Sequence, residues 1–185
     1  MQTLQHHFLI AMPSLQDPFF HRSVTYICEH NAEGAMGIVI NHPIKVTIGD
    51  LLEQLDIKFD SNSKIIEQKV CAGGPVHADR GFVLHSARPG YQSSLELADE
   101  LMITTSKDIL QQLTSEEAPR KFLLALGYAG WTPGQLEQEI ADNSWLVIPA
   151  DPAIIFDMAH DVKWEAATRT MGIESWQLSN DVGRA

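Results

Sequence analysis

The chain predicts an α+β protein: a mixed, mostly antiparallel sheet with several short helices packed around it. Two observations carry this reading. Strand-like runs and helical patterns alternate irregularly, and several strands are joined by tight polar turns rather than by helical crossovers. The most apolar run, Lys121–Gly130, is interrupted by Gly127 and Gly130 and reads as a central strand. A length of 185 residues fits one domain over residues 1–185.

Taken in order, Phe8–Met12 is a short apolar run stopped by Pro13, a buried strand. Asp17-Pro18-Phe19-Phe20 predicts a helical turn, with Asp17 as cap and Pro18 at the first helical position. Ser23–His30 is rich in β-branched and aromatic residues and predicts a strand. Asn31–Gly34 is a turn by composition, and Ala35–Ile40 returns as the second strand of a hairpin. Thr47-Ile-Gly-Asp50 has the form of a capping box with Asp in place of Glu, so Leu51, Leu52 and Leu55 predict a helix over 48–55. Lys58–Lys69 is a polar surface loop.

Val70–Pro75 is a strand end running into a glycine turn, and Arg80–His85, Leu95–Leu97 and Leu101–Thr105 are further strands. Thr105-Ser-Lys-Asp108 repeats the capping pattern before Ile109, Leu110 and Leu113. Thr132-Pro133 starts a helix through Gln135–Ala141 with Leu136 and Ile140 on one face. Trp145–Ile148 is a strand, and Asp151-Pro152 opens a short helix. A last helix carries Trp164, Thr168 and Met171, with Asp161 near its start, and the polar tail after Ile173 packs loosely.

Charge excludes one class of function. The net charge is −11 and concentrates in the second half of the chain, and Arg120-Lys121 is the only adjacent basic pair. Duplex DNA is held by basic patches that release counterions, so no specific DNA binding is expected. The acidic surface serves solubility or meets a basic partner protein. No basic residue precedes the five-residue apolar run Phe8–Met12, which speaks against a secretory signal, and no apolar stretch approaches the ~20 residues of a membrane span. Cys28 and Cys71 are too few for a disulfide framework. A cytoplasmic protein with reduced thiols follows as the expectation, without membrane contact.

Three long blocks share a further property. Phe8–Pro43 (FLIAMPSLQDPFFHRSVTYICEHNAEGAMGIVINHP), Cys71–His85 (CAGGPVHADRGFVLH) and Gly127–Leu146 (GYAGWTPGQLEQEIADNSWL) together resemble the bacterial YqgE/AlgH family. Trp164, Gly172-Ile173 and Leu178–Ala185 fit the family's C-terminus. The resemblance implies a curved, split sheet closing partly into a barrel. It also implies a link to transcriptional regulation, with no established biochemical activity and no catalytic residues to assign.

The residues offer several candidate sites. The Gly73-Gly74-Pro75 turn presents backbone N–H groups to an anion, or else uses glycine for close backbone approach. Cys28 and His30 point to one face of a regular strand, and with Cys71, His77 and His85 they form the one Cys/His set with thiolate–imidazole or metal potential. The spacing lacks CxxC, HxxxH and HExxH, so no metal and no cofactor are assigned, and buried cysteines are commonly inert.

Asp17, Glu29, Asp79 and Arg80 are polar residues within the recognised blocks. Arg80 suits bidentate capture of a carboxylate or phosphate, and Asp79-Arg80 equally suits a turn ion pair. Ser14 and Ser23 lack the G-x-S-x-G context of a hydrolase nucleophile. Tyr128 and Trp131 flank small residues and form either a flat binding surface, joined by Asn143 and Trp145, or a core plug at Trp131. The shared surface predicted from these segments holds Gly73, Gly74, Pro75, Arg80, Tyr128, Trp131 and Asn143. The sequence thus points to a non-enzymatic regulatory or binding protein acting through a protein or small-molecule partner. The alternative is an enzyme or ligand sensor using a cleft near Cys71–His85.

Overall fold

Ten strands and five short α-helices are formed among the residues that the computed structural model describes, 2–178. The strands are β1 (His7–Ala11), β2 (Val24–Asn31), β3 (Gly34–Val39), β4 (Pro43–Thr47), β5 (Lys69–Ala72), β6 (Val76–Ser86), β7 (Ser94–Glu96), β8 (Leu101–Thr104), β9 (Phe122–Trp131) and β10 (Trp145–Pro149). The helices are α1 (Ile48–Gln54), α2 (Lys107–Leu110), α3 (Gln135–Ala141), α4 (Pro152–Phe156) and α5 (Lys163–Arg169). Eight strands run in the order β10-β1-β2-β3-β9-β6-β8-β7, and β4 and β5 branch from β9. Every pairing is antiparallel except β5 with β9. The sheet curls into a half-barrel, as the resemblance implied.

The alternation of side chains along the strands sorts the core into layers. One face gathers a single apolar cluster across the whole sheet, from Phe8 and Ile10 of β1 through Tyr26, Ile38, Ala125 and Phe82 to Ile103 of β8. Ile154 and Ile155 of α4 and Trp164 and Ala167 of α5 cover part of that face. The opposite face divides in two. Helices α1 and α2 pack Leu51, Leu52 and Ile109 on Val70, Val83 and Leu124, while α3 packs Leu136 on Leu9, Ile27 and Trp131.

Most local expectations hold. The Thr47/Asp50 capping box forms in both directions, closing the start of α1. Asp17 accepts from the N–H groups of Phe19 and Phe20, and Asp151 from that of Ala153. Three expectations shift. The second helix spans only four residues with Ser106 at its cap, because Asp108 instead binds the Gln92 N–H and the Ser106 hydroxyl. The expected loop 58–69 contains a single 3-10 turn, Lys64–Glu67. Met171 lies beyond the end of α5 and is exposed. The expectation for the polar tail falls beyond residue 178 for its last part, outside the described residues, as does the family-like segment 179–185.

Candidate functional site

Helices α4 and α5 leave one end of the continuous face uncovered, and there the curl of the sheet encloses a cleft of about 560 Å³. This volume is typical of small-molecule sites. Its apolar lining comes from Cys28, Met36, Phe82, Leu95, Ile103 and Tyr128, and Arg80 is the one cation among its lining residues.

Two irregularities aim these side chains. In the β2–β3 pair, Ile27 faces Gly37 and Glu29 faces Met36, so Cys28 is an extra, bulged residue. Cys28 and Glu29 consequently both reach the cleft, while Ile27 packs on the other face. In β9 the alternation breaks at Gly127, whose φ is +78°. A Cβ at Gly127 would sit 2.3 Å from the Gly74 carbonyl oxygen, and one at Gly74 would sit 2.0 Å from the Tyr128 carbonyl oxygen, so both positions require glycine. After this break Tyr128 turns into the cleft, against Phe82 at a ring separation of 5.6 Å and His77 at 5.9 Å. Opposite it, β6 bows out between Val76 and Gly81 and presents Arg80, whose guanidinium carbon lies 5.5 Å above the Phe82 ring. Among the described residues Arg80 has no carboxylate within ion-pair distance. Asp79, its neighbour, lines a different hollow with Leu51 of α1 and Leu55 just beyond its end, and the two form no turn ion pair.

The predicted shared surface is therefore divided. Tyr128 and Arg80 meet in the cleft. Gly73 and Gly74 lie buried behind Tyr128, and the Gly73 N–H donates to the Leu126 carbonyl at 2.7 Å, so the glycine turn serves close packing rather than an anion. Pro75 is exposed and does not line the cleft. Trp131 is 6% exposed on the opposite face, a core plug and not a flat platform. Its indole N–H donates to Glu139 Oε2 at 2.9 Å, the same oxygen that takes the Trp145 indole at 2.8 Å. Asn143 lies exposed in the turn from α3 to β10 with φ +58°.

The Cys/His set separates as well. The bulge puts His30 on the face opposite Cys28, where it binds Glu137 at 2.6 Å and the Leu4 N–H at 2.9 Å. Cys71 and His85 stand on strands that flank β9 on either side, Cys71 level with Ala125 and His85 with Phe122, so they are separated both across and along the sheet. His85 is buried between Thr104 and the Ser86 carbonyl, and burial holds its pKa below the ordinary value. His77 is exposed. Both cysteines are free and buried, and burial pushes the Cys71 thiol up to about 11 and the Cys28 thiol higher still. Among the described residues, no group of three His, Cys, Asp or Glu side chains gathers as a metal set.

Two constellations escape a reading of the sequence. Cys71 Sγ lies 3.8 Å from the His160 ring nitrogens, beside Lys163. The Lys163 ammonium donates to the Ile40 and Ile155 carbonyls at 2.9 and 2.8 Å and lies 3.1 Å from His160 Nδ1. Burial draws the Lys163 pKa down to about 8 and also lowers that of His160. The i, i+3 spacing of His160 and Lys163 was the sole signal. Secondly, the β7–β8 turn reaches across the half-barrel to the segment before β1: Asp99 binds His6 Nε2 at 2.7 Å, and His6 Nδ1 meets the Tyr26 hydroxyl at 2.9 Å. His6 and Asp99 both hold positive φ, +60° and +54°. This contact ties the hairpin that walls the cleft.

Fold and cleft together define an α+β half-barrel protein with an open, apolar, singly cationic cleft. The AlgH-like family model matches residues 8–176, and the chain belongs to that family. A UPF0301 protein of Pseudoalteromonas translucida is 56% identical over the full length of both chains, and one of Shewanella sp. (strain ANA-3) is 53% identical, again over both full lengths. The solution structure of the AlgH protein from Pseudomonas aeruginosa superposes with a TM-score of 0.80 at 45% identity, covering all of both chains. Protein DIP2367 from Corynebacterium diphtheriae shares the fold, with a TM-score of 0.73 at 23% identity over 92% of this chain and 88% of its own.

Proposed function

We propose that this protein is a non-enzymatic regulatory protein that binds a small molecule in the half-barrel cleft and transmits occupancy to a partner protein. The cleft of about 560 Å³, apolar on its floor and holding a cation with no carboxylate partner among the described residues, is the observation that carries this reading. A link to transcriptional regulation then runs through a partner and not through duplex DNA, in keeping with a net charge of −11. Two free, buried thiols support a cytoplasmic setting. No helix among the described residues is long and apolar enough to cross a membrane. Cys71 meets His160 and not His85, and burial keeps its thiol protonated with a pKa of about 11, which favours binding over catalysis.

The test is capture of small molecules from a cell extract by purified protein, with release and mass analysis. The comparison is Met36→Trp, which fills the cleft from its floor. Wild type should enrich at least one compound that the filled variant does not. Identical sets from the two proteins count against the cleft.

A further inference from the structure

We infer that the cleft selects an amphipathic monocarboxylate, with its apolar body on the sheet and its carboxylate on Arg80. This identifies the ligand class and rests on the ligand-binding reading above. The floor comes from five strands, with Cys28, Met36, Phe82, Ile103 and Tyr128 side by side, and Leu95 stands 49% exposed at the rim. A wholly polar ligand would leave this surface wet, and apolar burial contributes about 25 cal/mol for each Å² covered.

The head group follows from the polar lining. Arg80 carries a planar fork of donors that matches a carboxylate in two parallel hydrogen bonds, and none of these donors is bonded to another described side chain. The other polar side chains of the lining, Gln92, Ser93, Ser94 and Thr105, are uncharged, apart from Glu29. The Ser94 hydroxyl is 2.7 Å from the Thr104 hydroxyl, the Ser93 N–H donates to the Ser106 hydroxyl, and the Thr105 N–H donates to the Ser93 carbonyl. Glu29 also lines the cleft, held by the Asn31 amide at 2.9 Å. Arg80 offsets one added negative charge, and Glu29, beyond ion-pair distance of it, already makes the rest of the cleft unfavourable to a second. A second charge, as on a phosphate monoester, meets Glu29 without a further cation to offset it.

The probes are decanoate, 1-decanol and decyl phosphate, titrated into wild type and Arg80→Gln. Methyl NMR signals of Met36, Leu95 and Ile103 report occupancy whatever the head group. Arg80 is exposed, so its replacement leaves the fold in place, which the unperturbed methyl spectrum verifies. Decanoate should shift the cleft methyls saturably, and Arg80→Gln should weaken it about tenfold or more, the loss of charge-assisted hydrogen bonds. Decanol should bind more weakly than decanoate and equally to both proteins. Decanol binding as tightly as decanoate, or decanoate indifferent to Arg80→Gln, overturns the carboxylate class while leaving ligand binding intact. Decyl phosphate binding more tightly than decanoate overturns the monoanion argument alone. Cleft methyls that respond to none of the three probes overturn this inference and the ligand-binding reading together.

Discussion

Raising the pH from 8 to 9 should stabilise this protein, and Lys163 is the reason. The side chain is 1% exposed, its ammonium rests on two backbone carbonyls beside an imidazole, and no carboxylate lies within ion-pair distance among the described residues. Burial draws its pKa from 10.5 to about 8, with the neighbouring Cys71 acting weakly in the other direction. The unfolded chain keeps this lysine charged up to about its ordinary pKa. Between about 8 and 10.5 the unfolded state therefore binds more protons than the folded state, and stability rises with pH.

The slope from one such group is at most about 1.4 kcal/mol per pH unit, or about 3 kcal/mol over the whole window. The thiols oppose it. Cys71 is pushed from 9.0 to about 11 and Cys28 further, so above pH 9 the unfolded chain releases protons that the folded chain retains, and stability falls. From pH 8 to 9 Lys163 outweighs the thiols, which are only partly ionised in the unfolded chain, for a net rise of roughly a few tenths of a kcal/mol, and beyond pH 9 two thiols outweigh one amine. Urea melts in reducing buffer at half-unit steps from pH 7.5 to 10 should show a stability maximum near pH 9. In Lys163→Met the rise from 8 to 9 should vanish while the fall above 9 persists. A wild-type midpoint that is flat or falling between 8 and 9, with the same slope as the variant, refutes the reasoning and returns Lys163 to an ordinary pKa.

Other expectations follow from the packing. Trp131→Ala should cost about 3–5 kcal/mol by urea denaturation, as for other buried aromatics, and a loss below about 1 kcal/mol would return Trp131 to the surface. Asp99→Asn should change global stability by less than about 1 kcal/mol, because the carboxylate is mostly exposed. It should nevertheless speed hydrogen exchange in the β7–β8 hairpin, at Leu97 and Leu101, relative to β2–β3. Equal exchange in the two proteins would mean that the contact with His6 does not tie the hairpin.

Local chemistry was legible wherever it depends on neighbours in sequence. The Thr47/Asp50 box, the Asp17 and Asp151 caps and the Asn31–Gly34 turn all form, because each is a bond between residues a few positions apart. The central position of β9 was legible because ten residues of apolar and small character suit a strand paired on both sides. The parallel branch of β5 onto β9 and the reach of Asp99 to His6 were not, since both join segments more than fifty residues apart. His160 and Lys163 stayed hidden for a related reason: the carbonyl of Ile40 that gathers them carries no side-chain signature.

The errors at the candidate site have one physical source. Placing Cys28 with His30, and Tyr128 with Trp131, assumed an unbroken period of two along β2 and an open turn surface along β9. One bulged residue at Cys28 moves His30 to the far face, and the break at Gly127 turns Tyr128 inward while Trp131 points outward into the second core. Both irregularities border the same cleft. A regular β2 would send Cys28 and Glu29 to opposite faces, and a regular β9 would direct Tyr128 to the face of Leu124 and Leu126, leaving the floor without its central aromatic ring. Gly127 and Gly74 accept a close backbone approach that any side chain would forbid, and its effect is to point Tyr128 at Arg80's side of the sheet. Strand irregularities that re-aim side chains recur beside functional sites. Here they place an apolar floor and a guanidinium that is unpaired among the described residues in one hollow, which is why the cleft, and not the buried Trp131 cluster, is the place to look for the ligand.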